Sequence, residues 1–148
     1  MADMELDRID RKIIRELQLD GRSTNVELAS RVHLSPSQCL RRTRRLEETG
    51  VITGYKAVID HRKMGYLLRA YVLISVTRQV DGARDKVMDF LMGTEDVLSI
   101  HGVAGNVDMI IELQARDMEH FTDLVIRQIY GHKYVVNSTS YIFLDTKR

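Results

Sequence analysis

One cysteine in 148 residues rules out an intramolecular disulfide framework. No stretch approaches the roughly 20 consecutive apolar residues that a membrane-spanning helix needs. An excess of one charge sign is also missing. The 22 Lys and Arg against 21 Asp and Glu leave a net charge of +1, so the chain is not a polycation that holds nucleic acid by bulk charge. The opening residues, Met1-Ala2-Asp3-Met4-Glu5-Leu6-Asp7, are acidic where a secretory signal is basic. No set of His, Cys or carboxylate residues has metal-ligand spacing, and His101 and His120 read as surface or interface histidines. The expectation is a cytoplasmic protein without metal or cofactor, long enough for one large domain or two small ones.

Positive charge, balanced overall, is concentrated locally. Leu28 to Leu46 contains Arg31, Arg41, Arg42, Arg44 and Arg45 and no acidic residue. Four of these arginines lie on a stretch that reads as a helix. Ser35 is its N-cap, the chain's single proline, Pro36, takes the first helical position, and Gly50 follows its end. At 100° per residue Gln38, Arg41, Arg42 and Arg45 share one stripe, with Cys39, Leu40, Thr43 and Leu46 roughly opposite. A guanidinium-rich front of this kind suits the DNA major groove, where arginine pairs with guanine edges and phosphates. A solvated charged face is the alternative. Gln38 either reads a base or closes the capping box Ser35-Pro36-Ser37-Gln38. Arg44, toward the helix edge, suits a phosphate or an intraprotein acid, and Ser37 suits a phosphate at the helix N-terminus.

The residues upstream favour DNA. Thr24-Asn25-Val26-Glu27 is a capping box opening a short helix through Leu28, Ala29 and Val32, and a four-residue break leads into the arginine helix. Leu6, Ile9, Ile13, Ile14 and Leu17 mark one face of a preceding helix, with Asp7 and Asp10 where its cap and first turn want negative charge. Val51 to Ile59 alternates as a strand does and supplies a wing. Residues 1–60 are thus expected to form a winged helix-turn-helix, followed by a linker at 61–68.

Residues 69–148 read as βαββαβ: strands Arg69–Thr77, Glu95–Val103, Val107–Gln114 and Tyr134–Leu144, with helices capped by Asp81 and Asp117. The first helix carries Ala83, Val87, Phe90 and Leu91, the second Met118, Phe121, Leu124 and Val125. That order is a ferredoxin-like α+β domain, both helices covering one face of an antiparallel sheet. The other face is not polar. Tyr71 and Leu73 oppose Ala70, Val72, Ile74 and Val76, and Tyr141 and Phe143 oppose Ile142 and Leu144. A twofold partner is an economical second cover, and a homodimer also suits a pseudo-palindromic double-stranded DNA operator. Between the middle strands, Gly102-Val103-Ala104-Gly105-Asn106-Val107-Asp108 makes a turn whose backbone can approach a ligand. Asp108 can accept from an α-ammonium group, or simply hold the turn.

Several runs together resemble the Lrp/AsnC (feast/famine) transcription regulators: Leu6-Asp7-Arg8-Ile9-Asp10, Leu17-Gln18-Leu19-Asp20-Gly21-Arg22, Asn25-Val26-Glu27-Leu28-Ala29, Leu34-Ser35-Pro36-Ser37-Gln38-Cys39-Leu40-Arg41-Arg42, Arg45-Leu46-Glu47 and Gly50-Val51-Ile52-Thr53-Gly54-Tyr55. The resemblance is dense over residues 5–60 and looser beyond. It implies a DNA-binding N-terminal domain and a C-terminal RAM-type domain that assembles oligomers and senses amino acids. DNA contacts would fall on Ser37, Gln38, Arg41, Arg42 and Arg45. In the family a Gly-x-x-Asp turn lies near the amino-acid effector at a dimer–dimer contact. Gly105 and Asp108 match that motif, and Gly102, Val103, Ala104 and Asn106 complete the turn. Ser138 and Ser140 resemble small hydroxyl residues of the family's last strand. Such dimers often assemble to tetramers, octamers or larger rings. Three positions depart from the pattern: His33 stands for a turn glycine, Thr43 for an aliphatic residue and Met109 for an aromatic one. The same outline also resembles siroheme decarboxylases, whose tetrapyrrole chemistry needs converging histidines. A co-regulator that oligomerises without a ligand is a further alternative.

Overall fold

The computed structural model describes residues 5–144. The opening Met1-Ala2-Asp3-Met4 and residues 145–148 of the expected second domain lie outside the described residues. The chain divides into two compact units, Met1–Val58 and Ile59–Arg148.

The first unit contains three helices, each started by a reciprocal capping box. In α1 (Arg8–Leu19) the box is Asp7 with Asp10, in α2 (Asn25–Val32) Thr24 with Glu27, and in α3 (Pro36–Glu48) Ser35 with Gln38. Each box satisfies two amides that the helix start would otherwise leave open. The core is small: Ile13, Leu28, Ala29, Val32, Cys39 and Leu46 are buried, with Leu6, Ile9, Ile14, Leu17, Leu34 and Ile52 packed against them. His33 takes the left-handed conformation between α2 and α3 (φ 59°, ψ 47°), and its amide donates to Ala29 and Ser30 carbonyls. The family's glycine geometry thus persists with a side chain present.

The strand expected over Val51–Ile59 is not formed, and among the described residues no strand pairs with this segment. The segment is irregular instead, anchored where the Tyr55 hydroxyl donates to Glu47 Oε1 at 2.8 Å. Burial first, and the Glu47 carboxylate second, push the Tyr55 phenol up to about 12.

The second unit begins with a 3₁₀ turn, His61–Met64, followed by β1 (Leu68–Val76), α4 (Ala83–Met92), β2 (Val97–Gly102), β3 (Met109–Ala115), α5 (Met118–Thr122) and β4 (Val135–Ile142). From Asp123 to Ile129 the helix after α5 widens to π geometry, and the Tyr130 amide donates to the Val125 carbonyl at 2.8 Å. The antiparallel sheet has order β2-β3-β1-β4. Its covered face buries Ala70, Val72, Ile74, Met109, Ile111 and Leu113 against Val87 and Leu91 of α4 and Phe121, Leu124 and Val125 beyond.

Two details differ from expectation. Gly82, in the left-handed region at φ 69°, starts α4 without a side-chain cap, so Asp81 does not serve there. Met118, at the first position of α5, is exposed rather than on the inner face. On the opposite sheet face Tyr71 lies directly across from Tyr141 and meets Phe143 edge-on, with ring centroids 4.9 Å apart. Arg69 pairs with Glu112 beside them. Tyr71 and Tyr141 are 44% and 57% exposed, so this apolar face is open.

Candidate DNA interface and effector site

Cys39 and Leu46 seat α3 on the core, and burial pushes the Cys39 thiol pKa up. Ser37, Gln38, Arg41, Arg44 and Arg45 are exposed. Leu40, expected inside, is also exposed, since it lies nearly a right angle from the Cys39–Leu46 line. Gln38 accepts from the Ser35 amide through Oε1 at 3.4 Å and donates its own amide to Ser35 Oγ at 3.3 Å. Ser37 Oγ lies 3.2 Å from Ser35 Oγ. The Asn25 amide side chain donates to the Pro36 carbonyl at 2.8 Å, fixing α2 to the start of α3.

The arginine stripe is divided. Arg42 Nη1 donates to Asp7 Oδ2 at 2.7 Å and to Asp10 Oδ1 at 2.8 Å, while Arg45 Nη2 donates to Asp10 Oδ2 at 2.5 Å. Asp10 is fully buried. The Asp10 amide and then the Arg42 guanidinium hold the Asp7 carboxyl at about 2, well below the usual carboxylate range. Reciprocally, Asp7 and then Asp10 raise the Arg42 pKa. Arg41 and Arg44 make no ion pair among the described residues. Sequence spacing showed Asp7 and Asp10 as cap residues only, because their pairing with α3 spans 35 positions.

The Gly102–Asp108 turn is closed by the Val103 amide donating to the Asp108 carbonyl at 3.1 Å. Asp108 then joins β1: its amide donates to the Ile74 carbonyl at 2.9 Å, and its Oδ2 accepts from the Val76 amide at 2.8 Å. Ala104, Gly105 and Asn106 are exposed at the tip. A side chain at Gly102 would collide with the Arg84 guanidinium of α4, which has no ion-pair partner among the described residues. Sequence reasoning missed this cation because nothing in the spacing of 84 and 102 announces it.

Ser138 and Ser140 pair with Ile74 and Val72 on the far side of β1. Two strand spacings, about 10 Å, therefore separate them from Asp108 within one chain. Met109 is fully buried, so its departure from the family's aromatic residue alters packing rather than ligand contact. A separate cleft of about 450 Å³, lined by Met118, Glu119, His120, Thr122, Asp123 and Arg127, contains none of the expected site residues. The described residues include no cluster of three or more His, Cys, Asp or Glu able to hold a metal ion.

Two family models match the chain. Residues 6–53 match a winged helix-turn-helix DNA-binding domain, and residues 69–148 match the Lrp/AsnC ligand binding domain. The chain belongs to the Lrp/AsnC family. The leucine-responsive regulatory protein of Rhizobium meliloti (strain 1021) is 41% identical over 126 residues, spanning 85% of this chain and 81% of that one. Its Escherichia coli (strain K12) namesake is 34% identical over 141 residues, spanning 95% and 86%. Among solved structures, a Neisseria meningitidis transcriptional regulator in complex with L-Met superposes with a TM-score of 0.91 at 33% identity, covering 97% of this chain and 93% of that one. This Lrp/AsnC protein is accordingly a transcriptional regulator, with a DNA-binding domain preceding a ligand-binding domain. No helix among the described residues is long and apolar enough to cross a membrane.

Proposed function

We propose that this regulator reads double-stranded DNA through the exposed N-terminal half of α3 and changes its DNA binding when a free amino acid occupies the Gly102–Asp108 turn. The observation that carries the DNA reading is the Arg41 guanidinium, exposed and without an ion-pair partner among the described residues, beside Ser37 and Gln38 on a helix locked by its cap. Arg41 is the candidate base reader, with Ser37 and Gln38 helping at the helix start. At the turn, exposed residues Ala104, Gly105 and Asn106 lie near one carboxylate, Asp108, and Gly102 lies under one cation, Arg84, that has no ion-pair partner among the described residues. Opposite charges of this kind match the ammonium and carboxylate ends of an amino acid. The L-Met held by the Neisseria relative supports that ligand class.

The open sheet face supports a homodimer through Tyr71, Tyr141 and Phe143. Because Ser138 and Ser140 stand apart from Asp108 within one chain, their part in the pocket requires a neighbouring copy, as in tetramers or octamers. Differential affinity of the ligand for two assembly states would transmit the signal. An enzymatic tetrapyrrole reading finds little support. His101 lies on the open face, whereas His120 lies on the helix side, 3.2 Å from Asp96.

The test is binding to a fluorescent duplex from the gene's own upstream region, at several salt concentrations, with and without an amino-acid mixture. Preference over random DNA that weakens steeply with salt is expected, with a shift on adding the mixture. Absence of preference in both conditions would overturn the DNA reading; preference without a shift would overturn the sensor.

A further inference from the structure

On α3 the side facing directly away from Cys39 and Leu46 carries Ser37, Arg41, Arg44 and Glu48. Arg42 and Arg45 lie to one flank, toward α1, and there they meet Asp10. Both oxygens of this fully buried carboxylate are engaged, Oδ1 by Arg42 at 2.8 Å and Oδ2 by Arg45 at 2.5 Å. Oδ2 also accepts from the Asp7 amide at 3.2 Å, and Asp7 completes the network through Arg42. Two carboxylates and two guanidiniums sum to zero charge. Of four arginines on one helix, Arg41 and Arg44 are the two without an ion-pair partner among the described residues.

We propose that Asp10 is a positioning residue that sets the DNA-facing side of α3: it holds Arg42 and Arg45 against α1 and leaves Ser37, Arg41 and Arg44 as the groove-facing line. This rests on the DNA reading above and adds Arg44 to it. Restraining two guanidiniums removes sequence-independent phosphate attraction and so widens the gap between specific and random binding. A carboxylate buried with two arginines also fixes the azimuth of α3 about its axis, which decides what reaches the groove.

The experiment is the salt dependence of full-length protein binding to a random-sequence duplex. Each phosphate contact contributes about 0.9 to the slope of log K against log salt. Arg44→Ala should lower the slope by about 0.9. Asp10→Asn keeps the side-chain size and one acceptor but loses the charge that restrains the arginines. Arg42 keeps Asp7 as its partner, so the slope should steepen by up to about 0.9 and random-duplex affinity rise, while the preference for the upstream site narrows. A residue that merely stabilised the fold would weaken both duplexes alike and leave the slope unchanged. If Asp10→Asn does not fold, Asp7→Asn keeps a good N-cap and frees Arg42 from one of its two acids, so the slope should steepen by a smaller amount. An unchanged slope in the folded variant, or in Arg44→Ala, overturns the inference while wild-type binding upholds the DNA reading. Wild-type protein that does not bind DNA in a salt-dependent way overturns both.

Discussion

The Asp108 carboxylate commits Oδ2 to the Val76 amide, and the proposed sensor role would use Oδ1 for a ligand ammonium. The two uses separate by substitution. Asparagine at 108 keeps an acceptor for Val76 but carries no charge, whereas alanine leaves that amide without its acceptor at a cost of about 1–3 kcal/mol. Asp108→Asn should therefore melt near the wild-type temperature and yet lose its calorimetric response to the amino-acid mixture. A retained response would mean that Asp108 only holds the turn. The sequence alone showed that this aspartate follows a glycine-bearing turn. It did not show which oxygen is engaged, because Val76 stands 32 positions away. The division of the arginines was hidden for the same reason. Helical periodicity reports neighbours on one helix, and Asp10 belongs to another.

At the scale of elements, local chemistry was the most legible. The N-caps Asp7, Thr24 and Ser35 all stand within three residues of their box partners, so their geometry is written in adjacent sequence. The wing shows no strand among the described residues, because alternation describes one segment, while a ladder needs two. The cap at α4 was misread because Asp81 looked sufficient, whereas Gly82 makes the turn through backbone conformation alone. The π stretch after α5 left no signal that periodicity could detect.

The link between α1 and α3 also has a defined acid response. With its folded value lowered to about 2, Asp7 contributes its full stabilisation above about pH 4 and loses it as pH falls through the folded value. Thermal melts of wild type and Asp7→Asn should therefore diverge above pH 4 and converge toward pH 2. Glu27 in α2, lowered chiefly by the Thr24 amide, adds a loss of the same sign to both proteins. Parallel curves from pH 6 to 2 would show that the Asp7 charge contributes nothing to folding.

For the molecule as a whole, the open sheet face is where assembly should be decided. Tyr71 and Tyr141 oppose each other on neighbouring strands and are both exposed, and buried aromatics of this size dominate interface energetics. Tyr71→Asp should lower monomer stability by about 1 kcal/mol, because it gives up the Phe143 ring contact and sets a carboxylate opposite Glu112, and should shift sedimentation toward the monomer mass. An unchanged assembly mass would place the interface elsewhere. Two-sided apolar patterning was visible in the sequence, and the face left uncovered followed once βαββαβ order put both helices on one side. The closeness of Gly102 to Arg84 has a consequence for heredity. A methyl at 102 would take the place of the tip of the exposed Arg84 side chain, so it is tolerable once that guanidinium swings aside. Gly102→Ala and Arg84→Ala should combine with less damage to melting temperature than their separate losses add up to. Inheritance of a larger residue at 102 would then require only that the guanidinium at 84, eighteen positions earlier, point elsewhere.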